Sequence, residues 1–229
     1  MRYSKLPFCY HLREGDTYMH IPDGFLDTKT MIASATVSVA VIAINNRNIK
    51  RAFDEQPVPS MGMMTAFVFV AQMLNFPIAP GVSGHLLGSA LVTALFGPAA
   101  GMTIMTAVVA LQALLFHDGG IMALGANVLN MAVLGCWGAY AVQRILFGGK
   151  IRPVSLFASG WLSIVLTAFA ASIELGVSAT VPFNAVVWPM LLWHAIIGIV
   201  EGVITAVTVP FLAKVTALKP WGRQEVEGS

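Results

Sequence analysis

Seven apolar runs, each cut off from the next by a short stretch of Gly, Pro or charged residues, constrain this chain more than any other feature. They cover roughly 28–46, 58–76, 83–97, 99–116, 121–147, 154–177 and 185–213. A membrane-crossing helix needs about 20 mostly apolar residues, since each adds about 1.5 Å against a hydrocarbon core of about 30 Å. The third run is short, and the fifth and seventh are long enough to tilt or project. The breakers "QPVPS" (56–60), "NFPIAPGVSG" (75–84), "GPAAG" (97–101), "HDGG" (117–120), "GGKIRP" (148–153) and "VPF" (181–183) lie between them. They act by removing backbone donors and favouring turns. Of the 229 residues, 57% are hydrophobic and 10% charged, against about 25% charged in soluble domains. Mean hydropathy is +0.77. A soluble fold of that composition would lack polar surface. The expectation is an all-α integral membrane protein with seven transmembrane helices in one domain over 19–218, then a cytoplasmic tail over 219–229. Of the two cysteines, Cys136 lies in an apolar run and Cys9 far from it, so a buried thiol is expected rather than a disulfide.

Loop charges set the orientation. Arg47, Lys50 and Arg51, then Arg144, Lys150 and Arg152, then Lys214, Lys219 and Arg223 form three basic segments, and the loop at 96–101 is uncharged. Seven helices place these four segments on one side, which the positive-inside rule makes cytoplasmic. The opposing stretches "NFPIAPGVSGH", "HDGG" and "ELGVSATVPF" hold no Lys or Arg. The end near Met19 therefore faces outward. His20, His85, His117 and Asp118 fall at or near that outer face. His194 and Glu201, seven residues apart, share one face of the last helix. Ionisable groups inside a membrane are costly and point to function; the plainer alternative is that these two pair with each other or with a neighbouring helix.

The stretch "MHIPDGF" carries the chemistry. If Met19 is the first residue, its α-amine, the backbone nitrogen of His20 and the His20 imidazole can close two small rings on one metal, with three donors nearly in a plane. One further imidazole completes a square of four nitrogens, a geometry that suits Ni(II) and Cu(II). Pro22 stiffens the segment beyond the donors, and Asp23-Gly24 signals a turn. The fourth nitrogen is expected from His85 in "GVSGHLLG", opening the third helix after a loop in which Gly81, Ser83 and Gly84 let backbone come close.

The stretches "MHIPDGFLD", "FVAQMLNFPI", "GVSGHLLGSAL", "DGGIMALGANVLNMA" and "HAIIGIVEGVIT" together resemble the substrate-capture subunit of nickel/cobalt energy-coupling-factor transporters, the CbiM/NikM family. They run in order from Met19 to about residue 213. The resemblance implies a seven-helix subunit whose N-terminal segment folds into the outer face and holds the metal through Met19, His20 and His85. It implies partners as well: a membrane coupling subunit, two ATP-binding-cassette ATPase subunits and a small accessory membrane subunit, in a prokaryotic cell (inner) membrane. The transported Ni²⁺ or Co²⁺ would be cargo, with no cofactor. Openings with "IPDG" resemble nickel-type members more than cobalt-type ones, and Val82 stands where Thr is common. Gln72, Asn75 and Asn127 lie within matching motifs and are expected to support the N-terminal segment or a ligand histidine by hydrogen bonds, or else to join helices. His117 and Asp118 are candidates for a cation entry funnel, or an ordinary surface turn. Small residues Ser34, Ala35 and Ser38 in the first helix and Ala90 and Ala94 in the third suit close docking of the coupling subunit.

The chain has no GxxxxGK[ST] and no HExxH, which weighs against a P-loop ATPase and a zinc protease; the resemblance implies a transport subunit rather than an enzyme, with ATP hydrolysis on other chains. The competing readings are a stand-alone divalent-cation channel or carrier and, further off, a histidine-ligated haem or copper oxidoreductase. Residues 1–18 conflict with the metal chemistry. With Tyr18 attached, the Met19 amine becomes an amide, whereas a free amine of pKa about 7.7–8.0 can shed its proton near neutrality. Residues 1–18 also lack the apolar region of a secretory signal. They are expected to be a misassigned or removed extension.

Overall fold

The computed structural model describes residues 20–55, 58–79, 82–216 and 220–221. Residues 1–18, Cys9, Met19, Gly81 and most of the tail over 219–229 lie outside the described residues. The chain opens with an irregular segment, then α1 (Thr28–Glu55), α2 (Val58–Gln72), β1 (Asn75–Ala79), β2 (Val82–His85) and α3 (Ser89–Phe116). Next come α4 (Leu124–Val128) and α5 (Gly135–Ala141), each followed by a π-helical turn, and finally α6 (Pro153–Val177) and α7 (Phe183–Val215). Residues at the joints within 124–146 keep right-handed helical angles, so that stretch is one rod with two widened turns.

Four helices are long and apolar enough to cross a bilayer among the described residues: α1 over Thr28–Asn45, α3, α6 and α7. The other predicted runs fall on helical stretches among the described residues, but α2 has 15 residues, 124–146 is assembled from pieces, and the third run shrinks to 89–96. Several boundaries differ from expectation. "NNRNIKRAF" belongs to α1 rather than a loop, because α1 continues to Glu55. The run 58–76 stops at Gln72, and His85 closes a strand instead of opening a helix. β1 and β2 form an antiparallel hairpin with Asn75 opposite His85, Phe76 opposite Gly84 and Pro77 opposite Ser83. Among the described residues the fold is thus helical with one hairpin, not purely α.

The bend in α3 organises the site. Gly97 has φ 82° and ψ 168° inside the helix, followed by Pro98. Glycine accepts that conformation without a Cβ clash, and Pro98 supplies no N–H to bridge the break. The two arms fold back on each other: a Cβ at Gly101 would lie 3.4 Å from the Thr93 Cα. Both arms are central, with Leu91, Leu95, Phe96, Met102 and Met105 fully buried. At the bend, the indole of Trp221 fills the space a side chain on Gly97 would need, coming within 2.7 Å of that position. Trp221 also meets Tyr140 edge-on at 5.4 Å.

Small residues serve contacts inside the chain. A Cβ on Gly160 would lie 2.9 Å from the Gly202 Cα, so α6 and α7 cross at backbone distance. Ala35 lies against Gly125, and the Ser38 hydroxyl donates to the Gly125 carbonyl at 2.8 Å. Ser34 donates to Glu174 at 2.8 Å, and the Asn130 amide donates to the other Glu174 oxygen at 2.6 Å. Ala90 and Ala94 are buried. The small-residue stripes read as docking surfaces for another subunit are therefore consumed by helix–helix contacts within this one. Cys136 is a buried free thiol.

Candidate metal centre

The N-terminal segment is held at one end of the bundle by groups that replace water for its backbone. The Asn127 side chain takes both polar groups of Ile21: its Oδ1 accepts the Ile21 N–H at 3.0 Å, and its Nδ2 donates to the Ile21 carbonyl at 3.0 Å. That carbonyl also accepts the Gly120 N–H at 2.9 Å. Asp23 accepts the N–H groups of Ile121 at 3.1 Å, Met122 at 2.8 Å and Ala123 at 3.1 Å, the orphan donors that begin the turn into α4. Farther along, Thr180 donates to the Phe25 carbonyl at 2.7 Å. Asp27 accepts the N–H of Thr30 at 3.1 Å and the Ser178 hydroxyl at 3.2 Å. The hydrogen bonds from Thr30, then Ser178 and Lys29, hold the Asp27 carboxyl below its ordinary pKa, against a smaller opposing effect of desolvation. Gly119, at φ 89°, must be glycine, since a Cβ there would come 2.8 Å from the His20 Cβ.

These contacts deliver His20, 5% exposed, to His85, 8% exposed. The two rings lie 5.2 Å apart at 81°. Their hydrogen bonds set which nitrogen of each ring is basic. The Gln112 carbonyl oxygen accepts from His20 Nε2 at 2.8 Å, which puts the His20 lone pair on Nδ1. The Leu86 carbonyl accepts from His85 Nδ1 at 2.8 Å, which puts the His85 lone pair on Nε2. Nδ1 is the imidazole nitrogen on the same side as the residue's own backbone nitrogen, so the contact with Gln112 directs the lone pair toward the chain. Only the bend at Gly97 allows this arrangement. Residues 89 and 112 would be about 35 Å apart on a straight helix, yet His85 and Gln112 both reach His20.

The loop after His85 is clamped by two other helices. Gln72 on α2 donates to the Leu87 carbonyl at 2.6 Å. Glu201 on α7, 1% exposed, accepts the N–H groups of Leu87 at 2.9 Å and Gly88 at 2.7 Å. Gly88, at φ 82°, leaves no room for a side chain: a Cβ would lie 2.8 Å from Val68.

Of the residues singled out from sequence, His20 and His85 come together, while Gln72, Asn127 and Glu201 hold the chain on either side of them. Asn75 pairs with His85 across the hairpin, and Ser83 lies on β2 opposite Pro77. His117 does not join the histidine pair; it is exposed and ends α3 in a left-handed conformation. Asp118 follows it, its N–H on the Gln112 backbone carbonyl at 3.1 Å. His194 and Glu201 do not pair with each other, because His194 Nδ1 is satisfied by the Met190 carbonyl at 2.8 Å and Glu201 faces the loop. Gln112 and the capping role of Asp23 escape sequence reasoning. A signal for Gln112 exists: it is an amide in the apolar run 99–116, where an uncompensated polar group is expensive.

Among the described residues no cluster of three or more His, Cys, Asp and Glu could hold a metal. Among those residues the histidine pair is therefore short of a full set of side-chain donors. An apolar helical bundle with a buried histidine pair, held against an N-terminal segment, defines a membrane protein with a candidate metal centre. The match to known proteins agrees: residues 20–218 fit the model of CbiM, the cobalt uptake substrate-specific transmembrane region, and the chain belongs to that family. A fused protein of Archaeoglobus fulgidus, named NikMN for nickel transport, is 41% identical over 197 residues, covering 85% of this chain. The chain spans only 65% of that relative's length. The cobalt transport protein CbiM of Clostridium cellulovorans is 31% identical over 206 residues, covering 86% of this chain and 79% of its own. The crystal structure of a truncated transition metal transporter superposes with a TM-score of 0.79 at 34% identity, covering 86% of this chain and 99% of that one.

Proposed function

We propose that the protein captures Ni²⁺, or Co²⁺ with lower preference, in a planar site of four nitrogens: the Met19 amine, the His20 backbone nitrogen, His20 Nδ1 and His85 Nε2. The observation that carries this reading is the complementary pair of histidine tautomers, each fixed by a hydrogen bond to its other nitrogen. Planar nitrogen sites suit Ni(II), and the fused relative's name points to nickel as well. The reading requires a free amine on Met19 and therefore a chain without residues 1–18. Seven helical segments pass through the membrane in this reading, with the His20 end outside and the C-terminus cytoplasmic, consistent with the basic residues at 144–152 and 214–223. ATP hydrolysis on two cassette subunits, transmitted by a membrane coupling subunit, drives uptake of the captured ion.

The test is metal analysis with absorption spectroscopy on purified protein beginning at Met19. One nickel per chain with the spectrum of a planar, diamagnetic Ni(II) is expected, and H85A is expected to lose it. Nickel held in an octahedral, paramagnetic form, or retained in full by H85A, would overturn the site.

A further inference from the structure

The peptide group between Leu86 and Leu87 has both ends engaged. Its carbonyl accepts from His85 Nδ1 at 2.8 Å. Its N–H donates to the Glu201 carboxylate at 2.9 Å. The chain of contacts is imidazole N–H to carbonyl oxygen, across one conjugated amide, then N–H to carboxylate. Each hydrogen bond along such a chain polarises the next. An amide whose N–H faces a carboxylate carries more negative charge on its oxygen and draws more strongly on the His85 Nδ1 proton. The electron density pushed into the ring appears at Nε2.

The geometry points to Glu201 as the residue that makes His85 a strong metal donor, acting through the Leu86–Leu87 peptide. This inference rests on His85 being a ligand. In many metal sites a carboxylate touches the ligand histidine directly, fixing the tautomer and raising its basicity; here one peptide group stands between them. The remaining contacts show why the relay is rigid. Glu201's second oxygen holds the Gly88 N–H at 2.7 Å, the Gly88 carbonyl accepts from Val92 at 3.1 Å inside α3, and Gln72 holds the Leu87 carbonyl at 2.6 Å. Gly88 offers α3 no side-chain cap; Glu201 instead holds the N–H groups of Leu87 and Gly88, the two residues just before the helix. A local Ser or Asp cap would serve donors inside the first turn of α3 and would not tie the peptide beside His85 to another helix.

The experiment compares nickel affinity of the wild-type protein starting at Met19 with E201Q, E201D and, as a control for loss of a buried carboxylate, E174Q, in detergent. Glu174 is also buried but holds Ser34 and Asn130, away from His85. E201Q is expected to weaken nickel binding about 10–100-fold, the usual effect of losing such an outer partner, and to shift the ligand-field band to lower energy. E201D is expected to recover part of the loss, and E174Q to bind within about two-fold of wild type. Wild-type affinity and band position in E201Q would overturn the relay, as would equal weakening in E174Q. Failure of the wild type itself to bind nickel in planar form would strike the metal site instead. Should E201Q not fold, ¹⁵N shifts of the apo wild-type histidine rings decide: His85 protonated on Nδ1 supports the relay, and protonation on Nε2 ends it.

Discussion

The two arms of the site are held in opposite ways. His85 sits on a loop built into the bundle, its neighbouring peptides clamped by buried side chains from α2 and α7. His20 sits on a segment laid against the bundle, gripped through its backbone by Asn127, Gly120 and the turn that Asp23 caps. The first arm is part of the folded core, and losing its clamps leaves buried backbone groups unpaired, a cost of about 1–3 kcal/mol each. The second arm packs Leu26 into a smaller apolar cluster separate from the main core, with Ile21 and Phe25 against it, so it can leave without opening the main core, and its clamp Asp23 is exposed. The difference suggests a fixed half-site and a latch.

The largest effects should erase the comparison altogether. H20A and H85A are both expected to abolish tight nickel binding, measured by equilibrium dialysis, while thermal unfolding stays close to wild type. A chain that retains the Tyr18–Met19 peptide bond should lose affinity as severely as H20A; intact mass and metal content of the same sample check this, and a full-length chain that binds as tightly as one starting at Met19 would remove the amine from the site.

Next comes the geometry of the latch. G119A places a methyl 2.8 Å from the His20 Cβ and strains a backbone at φ 89°, which costs about 1–3 kcal/mol. Nickel affinity should fall about 10-fold or more, with little change in the unfolding temperature of the apo protein. Equal losses of apo stability and affinity would contradict a latch that opens independently.

The sharpest contrast is between one amide on each arm. Q72A should lower apo stability by about 1–3 kcal/mol through the stranded Leu87 carbonyl. N127A should leave apo stability nearly unchanged and instead speed nickel release, read by stopped-flow exchange against a chelator. Reversal of those two outcomes would mean that the arms had been assigned the wrong way round. The smallest effect belongs to D23A, which removes a cap worth about 1 kcal/mol and should raise the release rate only several-fold.

Much of this was legible before any coordinates. The apolar runs located the helical segments, since hydropathy over about 20 residues has few solutions other than a helix in lipid. His20 and His85 stood out by residue type, position and motif, and Gln72, Asn127 and Glu201 stood out as polar groups where polar groups are costly. A supporting role was expected for Gln72 and Asn127, but the partners were hidden, because a hydrogen-bond partner 106 or 114 residues away leaves no local trace. Gln112 was overlooked because it lies among apolar neighbours on the far arm of a bend that "FGP" only hints at. Residues 83–88 were expected in helix because an apolar stretch beginning at a glycine does not distinguish a strand followed by a left-handed Gly88 from an early helix start.

Composition and spacing by themselves pointed to helices apolar enough to enter a membrane, located them approximately, and singled out His20 and His85 as candidate donors. Those properties are local sums, additive along the chain. Tertiary structure alone decided that the break expected at "GPAAG" is a bend at Gly97 bringing Gln112 to His20, that Gln112 and Leu86 choose the tautomers, and that the carboxylate of α7 reaches the peptide beside His85. Each depends on bringing distant backbone groups within about 3 Å of one another, a distance set by how whole helices pack rather than by any stretch of sequence.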